Sequence, residues 1–170
     1  EKKELINIDF PTIPKFDLLN HNIEEKKVSS FLTIQEGCDK FCSFCVVPYT
    51  RGPEYSRSIE SIMTEVKKLI KRGTREIILL GQNVNAWNSQ GNRKSLLTLG
   101  HLIDEISQFK EILSIRYTTS HPLDMDLKLI KTHQNNKKLM PYLHLPIQSG
   151  SDNVLAGMNR KHTVADYLKI

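Results

Sequence analysis

Three cysteines stand within eight residues of one another, and the chain contains no others. They are Cys38, Cys42 and Cys45, which gives the spacing C-x-x-x-C-x-x-C. A loop of this kind can turn three thiolates toward one point, which suits three irons of a 4Fe-4S cube. The fourth iron then has no protein ligand, so a small molecule can bind to it. This spacing predicts an iron-sulfur centre with one open coordination position.

Two other uses of these thiols compete with that interpretation. A disulfide takes cysteines in pairs, and an odd count in a chain with no recognisable secretory segment favours a reducing compartment. A structural zinc site needs four ligands, so a histidine such as His121 or His144 would have to complete a Cys3His set. The cysteine spacing alone favours a cluster over zinc or inert thiols without excluding them.

The composition is that of a globular protein. The 170 residues are 39% hydrophobic and 25% charged, and no run is long or apolar enough to cross a membrane. We therefore expect a cytoplasmic protein with no membrane partner. Because the chain begins at Glu1 and stops within a predicted helix, we expect a fragment. Residues 1–27 are predicted to be an N-terminal linker, and residues 28–170 a folded domain that is incomplete at its C-terminus.

The formal net charge of +5 is compatible with an RNA partner but does not identify one. Four cations lie beside loops that we predict at the rim of the site, and they are the candidates for phosphate binding: Arg51, Arg57, Arg160 and Lys161.

Strands and helices alternate along the chain at intervals of about thirty residues, which is typical of βαβ units and a parallel sheet. The strands are predicted at residues 28–35, 76–80, 113–118 and 142–147. The helices are predicted at residues 58–72, 95–108, 124–133 and from 152 to 158.

Each predicted strand is followed by a polar or cysteine-containing loop. Because loops that follow parallel strands emerge at the same edge of the sheet, these segments outline a single pocket. The loop after the second strand contributes Gln82 and Asn83. The segment after the fourth strand contributes Gln148, Ser149 and Ser151, although Ser151 is an equally good helix N-cap.

Four segments make the pattern more specific. They read QEGCDKFCSFCVVPYTRGPEYSR at residues 35–57, LLGQNVNAW at 79–87, TTSHP at 118–122 and HLPIQSGSDNVLAGMNRKHT at 144–163. Together they resemble the radical SAM domain of the MiaB family of tRNA methylthiotransferases. The resemblance implies an α/β fold, a truncated partial (β/α) barrel of radical SAM type with a parallel sheet of about four strands and flanking helices.

The resemblance also implies a reaction. Family members attach a methylthio group to carbon 2 of an isopentenylated adenosine next to the anticodon, using a 5′-deoxyadenosyl radical. Sister enzymes act on threonylcarbamoyl-adenosine in tRNA or on a ribosomal protein, and they stay as alternatives. A third alternative, from a different class, is a non-catalytic RNA-binding module stabilised by zinc. Iron and sulfide reconstitution would distinguish this module from an enzyme.

The implied cofactors are a 4Fe-4S cluster and S-adenosylmethionine. The implied partners are a tRNA anticodon loop, an electron donor, and two domains outside this sequence, an N-terminal auxiliary-cluster domain and a C-terminal TRAM domain. Without the auxiliary cluster as sulfur donor, the fragment alone is not expected to complete the reaction.

Residue roles are carried over where the motifs match, and no residue is assigned as catalytic. The three cysteines are expected to ligate iron. Gln82 and Asn83 stand where many radical SAM enzymes bind the amino group of S-adenosylmethionine, although Gly81-Gln82-Asn83 departs from the usual Gly-Gly-Glu pattern. The resemblance implies contacts with ribose or carboxylate for three polar residues, Gln148, Ser149 and Ser151. Arg51 and Arg57 are expected to bind the methionyl carboxylate or a tRNA phosphate. The aromatic candidates for stacking on adenine are Tyr49, Tyr55 and Trp87, with core packing favoured for Trp87.

Overall fold

The structure is a computed structural model that describes residues 27–91 and 95–170. Residues 1–26, which make up most of the predicted linker, lie outside the described residues. The strands are β1 (Ser29–Thr33), β2 (Gln35–Glu36), β3 (Tyr55–Ser56), β4 (Glu76–Leu80), β5 (Asn88–Gln90), β6 (Leu96–Thr98) and β7 (Ser114–Tyr117). The helices are α1 (Val47–Arg51), α2 (Ile59–Lys71), α3 (Leu99–Ser107), α4 (Leu127–Asn135), α5 (Asp152–Gly157) and α6 (Val164–Leu168).

A parallel sheet with the strand order β1-β4-β7 forms the centre of the fold. In its register Phe31 lies opposite Ile78, and Ile78 lies opposite Arg116. Neighbouring parallel strands need a long crossover, and α2 and α3 lie in the two crossover connections. The predicted parallel sheet with helical crossovers is confirmed. Two short antiparallel pairs, β2 with β3 and β5 with β6, lie outside this sheet.

The core lies between the sheet and the helices that cross over it. Alternate residues of each strand are buried, as expected where side chains point to opposite faces in turn, and α2 and α3 bury one apolar stripe each. The fully buried side chains include Leu32, Ile62, Val66, Ile77, Leu79, Leu102, Ile103, Ile106 and Ile115.

Helix α2 shows why local sequence can fix an element. The side chain of Ser58 accepts the Ser61 N–H at 3.2 Å, so an exposed donor of the first turn is satisfied. At the other end Gly73 adopts φ +100°, a left-handed conformation that ends helices and favours glycine. The predicted helix over residues 58–72 is confirmed as α2 with its two caps.

Three predicted elements need correction. Residues 142–147 form no strand. Just before them, Leu139 forms a single parallel bridge with Ile115 of β7. Pro141 precedes this stretch and Pro146 lies within it, and neither proline has an N–H to donate to a ladder. The sheet of the described residues therefore has three strands instead of four.

The other two corrections concern where helices begin. Within the helix predicted over residues 95–108, residues 96–98 pair as β6, and α3 begins only at Leu99, where the Thr98 N–H donates to His101 Nδ1 at 3.1 Å. The helix predicted from residue 124 begins at Leu127, because Asp126 caps it by accepting the Leu129 N–H at 2.6 Å. Both shifts place a capping residue at the true helix start.

Across residues 27–91 and 95–170, no helix combines the length and the apolar character that a membrane crossing requires.

Candidate cluster and cofactor site

The cysteine loop begins at a close approach between two backbone segments. Gly37 has φ +74°, and a Cβ atom placed on it would lie 2.0 Å from the carbonyl oxygen of Pro53. Next to it, the Cys38 N–H donates to the Gly52 carbonyl at 3.4 Å. Because no side chain fits at position 37, the loop can pass directly over the turn at residues 52–53.

The three sulfurs share one loop but differ in exposure. Cys42 is buried, while Cys38 and Cys45 are partly exposed, and the Cys45 N–H closes a turn on the Cys42 carbonyl at 2.9 Å. Burial raises the pKa of the Cys38 thiol. Bound iron would favour the thiolate, since ligation requires the deprotonated sulfur.

A zinc ion would need its ligands gathered around one point. Within the described ranges, no three His, Cys, Asp or Glu side chains are placed to hold a single metal ion. A 4Fe-4S cube makes a different demand, because each thiolate binds a different iron. Three thiols in one anchored loop fit that donor set, and the buried arginine described below lies against one of them.

Gln35 joins the cysteine loop to the loop that follows β4. This buried side chain accepts the backbone N–H groups of Gln82 and Asn83 at 2.9 and 3.0 Å, and it donates to the Gly37 carbonyl at 2.7 Å. In return, Gln82 Oε1 accepts the Gly37 N–H at 2.7 Å. Gln82 therefore uses its side-chain oxygen to hold the cysteine loop in place.

A charged network continues from Asn83. Its side-chain amide donates to Asp124 at 2.8 Å, and Lys40 of the cysteine loop forms an ion pair with the same carboxylate at 2.7 Å. Glu54 lies nearby, and burial together with Asp124 raises its pKa to about 7. The buried Asn83 Oδ1 makes no hydrogen bond within the described part of the chain, so it remains available to a bound molecule.

The loop after β7 joins the same group. Thr119 Oγ1 donates to the Gly81 carbonyl at 2.6 Å, and the Thr119 carbonyl accepts the Val84 N–H at 2.8 Å. The side chain of Asn85 bonds both the N–H and the carbonyl of His121, each at 2.9 Å. The loops after the first three predicted strands therefore lie together at one edge of the sheet.

Two buried histidines line this region. The rings of His121 and His162 meet edge to face with their centroids 5.8 Å apart. Burial, reinforced by the charge of Arg160, lowers the pKa of His121 to about 4. His121 is therefore neutral near pH 7, and its Nδ1 accepts the Leu123 N–H at 3.2 Å. These contacts are those of a hydrogen-bonded side chain that lines the site, and they favour this role for His121 over metal ligation.

The segment after α5 closes over the cysteine loop. The Ser43 N–H donates to the Met158 carbonyl at 3.1 Å, and Asn159 Nδ2 donates to the Phe41 carbonyl at 2.8 Å. Arg160 is only 4% exposed, and its guanidinium Nη1 donates to the Cys42 sulfur at 3.5 Å. The sequence placed Arg160 among the candidates for phosphate binding, whereas the structure buries it against a candidate iron ligand.

The residues at the end of the predicted fourth strand are less closely tied to the cysteine loop. Gln148 is exposed with φ +77°, and the Ser149 hydroxyl accepts the Ser151 N–H at 3.1 Å. Ser151 occupies the N-cap position of α5, which confirms the helix-cap alternative for its position, although its side chain makes no capping hydrogen bond. A role of these three residues in cofactor binding stays a prediction.

The two arginines predicted at the rim differ sharply. Arg51 is exposed, with its guanidinium 3.9 Å from Glu36. Arg57 is buried and donates to the Thr33 carbonyl and to Glu65, both at 2.7 Å, so it joins β1 to α2. These contacts account for the burial of Arg57, and a contact of this residue with carboxylate or phosphate stays a prediction.

Trp87 is also structural. It is 1% exposed, and its indole N–H donates to the Arg57 carbonyl at 2.9 Å. Packing in the core, the role favoured for this tryptophan, accounts for its position. Tyr49 and Tyr55 are exposed and can still contact a ligand.

Comparison with known proteins agrees with this arrangement. A profile of the Radical SAM superfamily matches residues 32–170. The chain is 54% identical to the tRNA-2-methylthio-N(6)-dimethylallyladenosine synthase of Anaplasma phagocytophilum, over 99% of this chain and 38% of that protein. The proteins of the same name from Rickettsia typhi and Cereibacter sphaeroides are 50% and 54% identical, over 99% and 98% of this chain and 38% and 37% of theirs. The chain thus spans well under half the length of these curated relatives.

A solved structure shares the fold. OxsB, a cobalamin-dependent S-adenosylmethionine radical enzyme solved with aqua-cobalamin and S-adenosylmethionine bound, superposes with a TM-score of 0.59. The two sequences are 14% identical, and the match covers 81% of this chain and 21% of OxsB. This likeness supports the predicted partial barrel, and the profile match over residues 32–170 shows that the chain belongs to the Radical SAM superfamily.

Proposed function

We propose that this chain is the radical-generating part of a tRNA methylthiotransferase that modifies carbon 2 of an isopentenylated adenosine next to the anticodon. The observation that carries the proposal is the three-cysteine loop, which is held by Gln82 on one side and by Asn159 on the other. Identity of 54% to tRNA-2-methylthio-N(6)-dimethylallyladenosine synthase supports the choice of substrate. A tRNA substrate places the reaction in the cytoplasm.

The cofactors of this proposal are a 4Fe-4S cluster held by Cys38, Cys42 and Cys45, and S-adenosylmethionine. When bound, they supply a 5′-deoxyadenosyl radical, which removes a hydrogen atom from a carbon that has no acidic proton. The protein holds the ligands in register and excludes water from the site.

The chain's own residues divide the remaining work. Asn83, whose buried side-chain oxygen has no hydrogen-bond partner among the described residues, would hold the S-adenosylmethionine amino group, while Gln82 fixes the cysteine loop. Gln148, Ser149 and Ser151 contact the ribose or the carboxylate, as the family resemblance implies. Arg51, exposed next to the same loop, binds a tRNA phosphate.

The complete reaction needs partners beyond these residues. In this proposal a tRNA anticodon loop is the substrate, an auxiliary-cluster domain delivers sulfur, a TRAM domain holds RNA, and a low-potential donor supplies electrons. The chain by itself then cleaves S-adenosylmethionine without modifying RNA.

Anaerobic reconstitution with iron and sulfide tests the proposal. We expect a brown protein with about four irons and four sulfides per chain, which forms 5′-deoxyadenosine from S-adenosylmethionine when dithionite is added. Cys42→Ala should abolish the colour and the product, while Val46→Ala, an exposed neighbour in the same loop, should retain both. A colourless protein that holds one tightly bound zinc would overturn the proposal and support the RNA-binding module.

The substrate is tested with the complete protein. tRNA carrying isopentenyladenosine should gain a methylthio group, which mass spectrometry of the nucleosides detects. Modification of threonylcarbamoyl-adenosine or of a ribosomal protein instead would assign the chain to a sister enzyme.

A further inference from the structure

Arg160 occupies a turn that directs its side chain into the protein. The residues on either side of it, Asn159 and Lys161, both have φ +56°, a left-handed conformation that non-glycine residues adopt uncommonly. Between them the Arg160 N–H donates to the Leu155 carbonyl at 3.0 Å, which ties the turn to α5. The backbone of Arg160 is thereby bonded to α5, while its side chain reaches Cys42 of the cysteine loop.

The guanidinium has an unusual set of partners for a buried cation. Nη1 donates to the Cys42 sulfur at 3.5 Å, and Nη2 donates to the Pro146 carbonyl at 2.9 Å. None of the ion pairs formed within residues 27–91 and 95–170 includes Arg160. A buried charge without an opposite charge is strongly destabilising, so the site requires an anion on the sulfur side.

Cys42 supplies that anion when its thiolate binds iron. The sulfur is buried with the arginine, and the guanidinium donates to it directly. Hydrogen bonds to ligand sulfurs and nearby charge are among the properties that set the reduction potential of an iron-sulfur cluster. Reduction by one electron makes the cluster more negative, so a buried cation stabilises the reduced form more than the oxidised form.

We propose that Arg160 is a positioning residue that orients the Cys42 sulfur and raises the reduction potential of the cluster. This inference rests on the proposed function, because it requires that the three cysteines bind a 4Fe-4S cluster. The electron comes from a low-potential one-electron reductant, and dithionite serves as the probe. The arginine itself is not oxidised.

The first test compares potentials in the reconstituted 170-residue chain by redox titration monitored with electron paramagnetic resonance. Arg160→Met should leave roughly tenfold less reduced cluster at a fixed solution potential, as expected for the loss of one charge-assisted hydrogen bond. Arg160→Lys, which keeps the charge without the planar fork, should recover part of the loss. Arg116→Met is the matched control, since Arg116 pairs with Glu76 in the sheet and should leave the potential unchanged.

The second test uses the wild-type sequence, so it does not depend on a variant that folds. Protein grown with ¹⁵N-labelled arginine should show a nitrogen coupling to the reduced cluster in pulsed electron paramagnetic resonance. The coupling should disappear in Arg160→Lys, in which the labelled guanidinium is absent from this position.

The outcomes separate the two proposals. Failure of the wild-type chain to assemble any cluster would overturn the proposed function. A cluster that forms in Arg160→Met with the wild-type potential would overturn the role of Arg160 and leave the function intact. One further case is that Arg160→Met does not fold or does not retain a cluster. In that case, the absence of nitrogen coupling in the labelled wild type would overturn the role of Arg160.

Discussion

Gln35 and Gln82 support each other around the start of the cysteine loop. Gln35 Oε1 accepts the Gln82 N–H at 2.9 Å, and Gln82 Oε1 accepts the N–H of Gly37 at 2.7 Å. Gln35 also donates to the Gly37 carbonyl at 2.7 Å. Gln35 of β2 therefore binds the C=O of Gly37, and Gln82 of the loop after β4 binds the N–H of the same glycine.

Replacing Gln35 by Glu should destabilise the chain by roughly 2 kcal/mol. The carboxylate retains the acceptor for Gln82 and Asn83, but it loses the donor to Gly37 and places a buried negative charge against a carbonyl oxygen. Urea unfolding followed by circular dichroism measures the change. Gln134→Glu, on the exposed surface of α4, is the control and should change stability by no more than about 0.5 kcal/mol; equal values for the two variants would contradict this role of Gln35.

Replacing Trp87 by Phe should lower the free energy of unfolding by about 1 to 3 kcal/mol. The substitution removes the indole donor to the Arg57 carbonyl and part of a fully buried ring. Circular dichroism is the appropriate measurement, because Trp87 is the only tryptophan and its fluorescence is lost with it. Tyr142→Phe changes an exposed aromatic and should be nearly neutral, and an unaltered midpoint for Trp87→Phe would argue against its place in the core.

Stability should fall as the pH drops from about 6.5 to about 4, partly because of His121. The folded protein holds His121 neutral with a pKa of about 4, whereas the unfolded chain takes up a proton at its ordinary value of 6.5. The unfolded state therefore binds more protons in this interval, so acid favours unfolding, by at most about 3 kcal/mol.

The variant His121→Asn tests that contribution. Asparagine can still accept the Leu123 N–H, but it does not titrate, so stability should depend less on pH between 4 and 6.5. His144→Asn, at an exposed position, should retain the wild-type profile. Identical pH profiles for wild type and His121→Asn would show that other groups cause the acid sensitivity.

Substitutions at Asn159 should loosen the cysteine loop. Asn159→Gly keeps the φ of +56° accessible but removes the hydrogen bond to the Phe41 carbonyl. Losing about 1 kcal/mol should make the reconstituted cluster roughly fivefold more sensitive to a chelator. Asn159→Ala should be less stable than Asn159→Gly by about 1 kcal/mol because of its left-handed backbone; an alanine variant as stable as the glycine variant would contradict this account.

Local chemistry explains which elements could be predicted. The sequence of α2 contains the signals for both of its ends, because Ser58 caps its N-terminus and Gly73 ends it. Strand β4 is a short apolar run, which is typical of a buried strand. The prediction of a strand at residues 142–147 was wrong because strand formation depends on pairing with a neighbouring strand. A run that follows Pro141 and contains Pro146 looks extended in sequence, but it does not pair in the described residues.

The candidate site divides in a similar way. Three cysteines within eight residues could be recognised because the donor chemistry is local. Arg160 and Cys42 are 118 residues apart, so no pattern within a window could show that they touch. Gln35 is a polar residue at the end of an apolar strand segment, which is a weak indication that it belongs to the site. Its partners, Gly37, Gln82 and Asn83, are identified only by the folded structure.

The close approach at Gly37 bears on how tolerance to substitution should be interpreted in this family. A Cβ at this position would lie 2.0 Å from the Pro53 oxygen and 2.6 Å from the Gly52 oxygen, which are rigid backbone atoms. In a saturation library, position 37 should therefore reject every replacement as strongly as an iron ligand does, although glycine has no group to offer a metal. Invariance at position 37 would therefore reflect the close approach of two backbone segments, whereas invariance at Cys38, Cys42 and Cys45 would reflect iron binding.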